Sequence, residues 1–315
     1  MRSALWTMVI AAALLAPAHG AFAQEFPGKM VRMVIPFPVG GSSDANARII
    51  NPFLSERWKQ QVVMDPRPGA ATVIGTDHVA KSPPDGYTLL LTSTQYSQGP
   101  ALFAKLPYDP YTDLVPVTLV SISPQAIVSH PSLPAKNMKE LIAFARTRPG
   151  ELNMGNAGNM LPTHLFTMLA KVKIETVPYK GAGPLMMDVM GGHVTLGIGA
   201  VSSVQAAVRS GRARMLGVSS PSATFPDAPV IANDVPGFDA DAWFGLFVPR
   251  GTPRELVMRI RDDVAAVLEI PDVKQRIRDI GGEPGGQTPD EFGARVRNEI
   301  AKWQKVGAAA GIKPQ

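Results

Sequence analysis

The chain has no cysteine among its 315 residues. That absence removes disulfides, thiolate metal sites, a cysteine nucleophile and a lipid-modified cysteine behind a leader. Runs of one charge are missing too. The 31 Lys and Arg exceed the 26 Asp and Glu, but they are scattered, so no nucleic-acid partner is expected. No internal repeat, low-complexity tract or Gly/Ser linker divides the sequence. Enzyme signatures fail in turn: there is no Gly-x-Ser-x-Gly elbow and no Gly-Lys-Ser/Thr phosphate loop. The segment Gly197-Ile198-Gly199-Ala200-Val201-Ser202 lacks the third glycine of a dinucleotide fingerprint. His19, His78, His130, His164 and His193 share no metal-ligand spacing with one another or with acids. No catalytic residue, metal or cofactor is expected.

What is present begins with an export leader. Arg2 precedes an apolar run over 4–16, Pro17 ends it, and Ala21-Phe22-Ala23 supplies the small residues that signal peptidase reads. Cleavage after Ala23 would leave Gln24 first and a periplasmic protein. The run is shorter than the roughly 18 residues a membrane span needs. Loss of 1–23 removes only Arg2, taking the formal charge from +5 to +4, a mild bias that favours an anionic ligand.

The length suggests about two domains. Apolar β-rich runs at 30–35, 61–64, 87–92, 152–154, 174–177, 194–198, 214–218 and 243–248 predict strands. Helical spacing is found over 44–58, 138–147, 184–190, 253–268, 272–280 and 289–310. This alternation predicts an α/β fold, its parallel or mixed sheets covered by helices on both faces. With no linker, two lobes joined by crossing strands fit better than two domains in tandem. Ligands of such sheets bind at the carboxyl ends of the strands, so function belongs in the strand-to-helix loops.

The most informative loop is Pro36-Phe37-Pro38-Val39-Gly40-Gly41-Ser42-Ser43-Asp44. It leaves a strand, turns through two glycines that let the backbone approach a ligand, and enters a helix through residues of N-cap type. Free N–H groups at the positive end of a helix make an anion site, and an ordinary capped turn is the other reading. Asp44, an acceptor only when ionised, suits fixing the loop and not touching an anion. A second such loop is Gly155-Asn156-Ala157-Gly158-Asn159-Met160-Leu161-Pro162-Thr163-His164, and a third is Pro178-Tyr179-Lys180-Gly181-Ala182-Gly183-Pro184. His164, alone at the start of an apolar helix, reads as a structural hydrogen-bonder.

Further pieces complete a pattern: Pro66-Arg67-Pro68-Gly69-Ala70, Pro84-Asp85-Gly86-Tyr87-Thr88-Leu89-Leu90, Leu106-Pro107-Tyr108-Asp109-Pro110, Val177-Pro178-Tyr179-Lys180-Gly181, Trp243-Phe244-Gly245-Leu246-Phe247-Val248-Pro249 and Gly251-Thr252-Pro253. Together with the first loop, and in this order, they make the chain similar to the substrate-binding proteins of tripartite tricarboxylate transporters, the Bug family. The resemblance implies a two-lobed type II periplasmic binding fold. Lobe 1 would span 24–123 with 246–315 and lobe 2 124–245, with crossings near 120–127 and 242–246. It implies that a small carboxylate is held between the lobes, largely by backbone amides, and passed by a monomer to integral membrane transporter subunits. The implied contacts on the first loop are Phe37, Val39, Gly40, Gly41, Ser42, Ser43 and Asp44. Ser93 and Thr94 follow the third strand, and Gly158, Asn159, Met160, Leu161, Thr163 and His164 form the second loop. Tyr179, Gly199 and Ala200 complete the set.

The chain departs from that pattern informatively. Met160-Leu161-Pro162 stands where small polar residues are usual, which removes one backbone donor and adds apolar bulk. Gly199-Ala200 stands where an acid and Asn are frequent, which disfavours ligands with an ammonium group. The expected ligand is a di- or tricarboxylate, or an acid with an apolar or aromatic body. Two other readings stand beside it: a sensor component presenting ligand to a receptor, and a hydrolase using His164 with Asp44 or Thr163.

Overall fold

The computed structural model describes residues 26–157, 160–179 and 181–314. The expected leader, Gly158 and Asn159 lie outside the described residues.

The apolar runs form two sheets. In the first, β1 (Val31–Ile35) pairs in parallel with β2 (Val62–Pro66) and β3 (Thr88–Ser93). Antiparallel to these, β10 (Ala242–Pro249) pairs with β3 and with β4 (Leu114–Ser123), and the two-residue β11 (Glu283–Pro284) closes the edge. The order is β11-β4-β10-β3-β1-β2. Strand alternation sends Val31, Met33 and Ile35 into one core and Val34 into the other. The first core is covered by α1 (Ser42–Trp58), α8 (Arg254–Leu268) and α9 (Pro271–Asp279). The opposite face carries Trp243 and Phe247, met by Phe292 of the C-terminal helix α10 (Pro289–Ala309). Short helices α2 (Val73–Ala80) and α3 (Gln95–Leu102) follow β2 and β3.

The second sheet has the order β7-β6-β8-β5-β9, built from β5 (Gln125–Ser129), β6 (Asn153–Ala157), β7 (Glu175–Tyr179), β8 (Leu196–Ala200) and β9 (Arg214–Val218). Its helices are α4 (Met138–Thr147), α5 (Leu161–Ala170), α6 (Ala182–Gly191) and α7 (Val201–Arg209). The protein is thus a two-lobed α/β molecule with mixed sheets.

Two connections join the sheets. Strand β4 runs through Pro124 straight into β5. The return passage, expected at 242–246, comes earlier: all of β10 pairs within the first sheet, so it lies between Val218 and Ala242. Helix α10 adds a third link. Trp303 and Val306 on it, with Ala101 of α3, share one buried apolar cluster with Leu161 and Leu165 of the second lobe.

Candidate functional site

Strand direction decides where the loops meet. Ala242 pairs with Ser123 and Phe244 with Ser93, so β3 ends beside the crossing into the second lobe. On the far side, Gln125 pairs with Ala200 and Ala126 with Val218, so β8 and β9 end at the same crossing. The carboxyl ends of both sheets therefore face one junction, and the loops after β1, β3, β6, β8 and β9 flank it.

At the first loop, Gly40 has φ +88°, a left-handed conformation that side chains resist, and nothing lies within 4 Å of where its Cβ would be. Its N–H donates to Asp44 Oδ2 at 3.0 Å. Arg48 Nε donates to the same oxygen at 2.8 Å. Burial pushes the Asp44 carboxyl up, but these two donors and the Arg48 charge outweigh it and hold the group below the usual carboxylate range. Asp44 is therefore a loop clamp. Helix α1 starts at Gly41 with no side-chain cap, leaving the first-turn amides to other partners. Helices α5 and α7, facing it from the second lobe, begin at Met160 and Ala200 and also lack a side-chain cap. By contrast α4 is capped by Asn137 and α10 by a Thr288–Glu291 capping box.

Other expected contacts are engaged by the fold itself. Leu161 is fully buried in the apolar cluster with Trp303, so it packs lobe against lobe and does not line a cleft. Thr163, also fully buried, accepts from Asn156 Nδ2 at 3.4 Å. Tyr179 lies over Gly155 and donates its hydroxyl to Asp188 on α6 at 2.6 Å, with its phenol pushed up to about 12 by burial and by that carboxylate. His164 lines a cavity of about 260 Å³ with Thr167 and Met168 of α5, Val172 just beyond it, and Val306, Ala309 and Ala310 of the α10 end, and burial lowers its pKa. It sits in the opposite lobe to Asp44, whose carboxylate is already clamped by Gly40 and Arg48. Phe37 packs on the first core. Thr94 holds the β3 end to β10: its Oγ1 accepts the Trp243 N–H at 2.8 Å, and its own N–H donates to the Trp243 carbonyl. Ser93 Oγ accepts the Gln95 N–H at 3.4 Å, and Gly199 lies close under Ser203, whose hydroxyl donates to the Ala200 carbonyl. Gly40, Gly41, Ser42 and Val39 remain on the open loop, Val39 being 61% exposed.

Several junction residues were not singled out from the sequence. Asp241 accepts from the hydroxyls of Ser219 and Ser220 at the end of β9, and its carbonyl accepts from Thr94. Burial raises its carboxyl pKa against the lowering effect of the two serines. Buried Asn46 bridges the Ser42 carbonyl and Ser121 Oγ. The piece at 66–70 runs into a strained turn that its sequence did not announce: Gly69, Ala70, Ala71 and Thr72 all have positive φ, next to exposed Ile74. The only sequence signal of Asp241 and Asn46 was a polar residue interrupting apolar spacing. Among the described residues no group of three His, Asp or Glu converges as a metal site would, and no helix is long and apolar enough to cross a membrane.

Two lobes whose uncapped helices face one junction define a ligand-binding protein of the two-lobed type. The model of the tripartite tricarboxylate transporter family receptor matches residues 46–312, and the chain belongs to that family. It is 36% identical over 301 residues to BugT of Bordetella pertussis, covering 92% of each chain. Among solved structures, a Rhodopseudomonas palustris protein with adipate superposes with a TM-score of 0.83 at 36% identity, over 92% of this chain and 100% of that one. MatC from the same species, with bound malate, gives 0.78 at 29% identity, over 90% and 100%. The family is one of periplasmic solute-binding proteins and not of enzymes, so the hydrolase reading is set aside.

Proposed function

We propose that this receptor captures a small dicarboxylate between its lobes and, by closing, presents it to integral membrane subunits of a tripartite tricarboxylate-type transporter. The observation that carries the reading is the placing of first turns without a side-chain cap, α1 in one lobe and α5 and α7 in the other, at a shared junction. Adipate and malate in the two structural relatives support the ligand class. Val39 on the first loop and Ile74 in the first turn of α2, exposed apolar side chains of the first lobe, suit a ligand with a short hydrocarbon body. The apolar body was expected to meet Met160 and Leu161, but Leu161 is in the core, which moves that role to the first lobe.

The moving units are 24–123 with 242–315 and 124–241, the protein works as a monomer, and it reaches the periplasm with its leader cleaved after Ala23. Of the expected contacts, Val39, the first-loop backbone at Gly40–Ser43, Met160 and the Gly199–Ala200 turn are those that touch ligand. Charge-assisted hydrogen bonds contribute about 1.5–3 kcal/mol each. Three or four, with burial of the body, reach the roughly 8 kcal/mol of a micromolar site. Because both lobes donate, ligand favours the closed form.

The test is a thermal-shift screen of the mature protein, refolded to remove co-purified ligand, against carboxylates of graded length. Stabilisation by C4–C6 dicarboxylates and none by their diamides is expected. Equal response to the diamides would overturn the anion site.

A further inference from the structure

We infer that Asn46 and Asn156 are positioning residues, each holding the first turn of the helix behind one ligand loop through a buried side-chain hydrogen bond. The inference rests on the reading of those loops given above.

Asn46 stands on the core-facing side of α1, between Ala47 and the apolar Ile49 and Ile50, and is 1% exposed. A carboxamide there is unfavourable on two counts. Asn is a weak helix former in a helix interior, and burying its amide costs free energy unless hydrogen bonds satisfy it. Both ends are satisfied. Nδ2 donates to the Ser42 carbonyl at 2.9 Å, and Oδ1 accepts from Ser121 Oγ at 2.6 Å. The Ser42 carbonyl can only accept, so the orientation of the amide is fixed by its surroundings. Ser121 is on β4, three residues before Pro124 at the crossing, and is itself 1% exposed. The first turn of α1 is thus fastened to the strand that leads into the other lobe.

The second lobe repeats the device with the partners exchanged. Asn156 is on the strand, near the end of β6, and Thr163 is on the helix, in the first turn of α5. Asn156 Nδ2 donates to Thr163 Oγ1 at 3.4 Å, and both residues are buried. In each lobe one buried asparagine therefore ties a strand to the first turn of a helix that opens a candidate ligand loop. An apolar pair would pack these sites at no loss of stability, since replacing both partners of a buried hydrogen bond is close to neutral. The polar pairs are explained by what they hold in place.

That contrast supplies the experiment. Full-length exported protein, refolded free of ligand, is compared with the double variants Asn46→Leu/Ser121→Ala and Asn156→Val/Thr163→Val. Thermal midpoints, calorimetric affinity for adipate and for malate, and amide exchange over 41–46 and 160–164 are measured. Midpoints close to wild type, affinity lower by about tenfold and exchange of those amides faster by about tenfold are expected, the scale of losing one net hydrogen bond. Folded double variants that bind as tightly and protect those amides as well as wild type overturn the inference. Wild-type protein that binds neither acid defeats the loop reading instead, and the exchange measurement then decides the positioning claim alone. Should a double variant fail to fold, Ser121→Ala against Ser121→Thr carries the comparison, the threonine keeping the hydroxyl and the affinity.

Discussion

Asp44 turns back on its own loop: its Oδ2 accepts the Gly40 N–H at 3.0 Å, so the acid that opens helix α1 also fixes the glycine turn before it. This explains how an acidic residue can sit beside a proposed carboxylate site. Its charge is answered by Arg48 and by the Gly40 N–H, and the Gly41–Ser43 amides at the start of α1 have no side-chain cap.

Asp44→Asn is expected to destabilise the protein by about 1.5–3 kcal/mol at neutral pH, the range for a charge-assisted hydrogen bond. Because its pKa is lowered by folding, Asp44 stabilises above its unfolded value, near 3.9, and that stability disappears as pH falls through the folded value. The gap between variant and wild type should be full at pH 6 and close below about pH 4. Urea unfolding across that range measures it, and a gap that stayed constant into strong acid would contradict the clamp.

Gly40→Ala places a Cβ in open space, so its cost is backbone strain alone, about 1–2 kcal/mol. A lower midpoint and weaker carboxylate binding are expected together. Gly183→Ala is the control, since that glycine also has open space around its Cβ position but no left-handed backbone. It should change little.

Asp241→Asn should behave in the opposite sense to Asp44→Asn. Burial raises the Asp241 pKa, so its ionised form is disfavoured in the folded state; the stability it contributes in acid is lost as pH rises through that value. Asparagine keeps an oxygen for Ser219 and Ser220 without the buried charge. The variant should match wild type near pH 3 and exceed it at pH 7–8 in denaturant midpoints.

Gly245→Ala tests the aromatic face of the first sheet. A Cβ there would run into the Phe292 ring, already packed edge-on against Trp243 at 5.3 Å between centroids. Overpacking of this kind costs about 1–3 kcal/mol. Gly245→Ala with Phe292→Leu should recover part of the loss.

The parts of this fold visible in the sequence are those where one periodicity runs undisturbed. Met138–Thr147 and Arg214–Val218 fall where the spacing places them. Strand β4 is missing from the strands the periodicity predicts, its Val120 end entering only as a crossing the resemblance implies, because Pro116 breaks the pattern. The structure absorbs that proline at a register shift opposite Leu246 and Phe247. Helix α3 was missed because Gly99 and Pro100 read as punctuation, and α2 because it follows the left-handed turn at Ala70–Thr72, which no propensity favours. At the site, Gly40 was legible because a left-handed turn demands glycine. Orientation was not. Tyr179, Leu161 and Thr163 lie in the loops singled out from the sequence but point into packing, which only the neighbours Asp188, Trp303 and Asn156 decide.

The central place of β10 has a consequence for the order in which the molecule can form. This strand sits between β4 and β3, yet it is the last long strand of the chain. As the polypeptide emerges from its N-terminus, residues 31–123 hold four strands of the first sheet with its middle missing. The second lobe, continuous in sequence from 125 to 218, can pair its strands first. The first lobe waits for residue 249, and its seam against Leu161 waits for Trp303 and Val306. The first sheet is therefore the last to close, and it closes only when nearly all of the chain has been made.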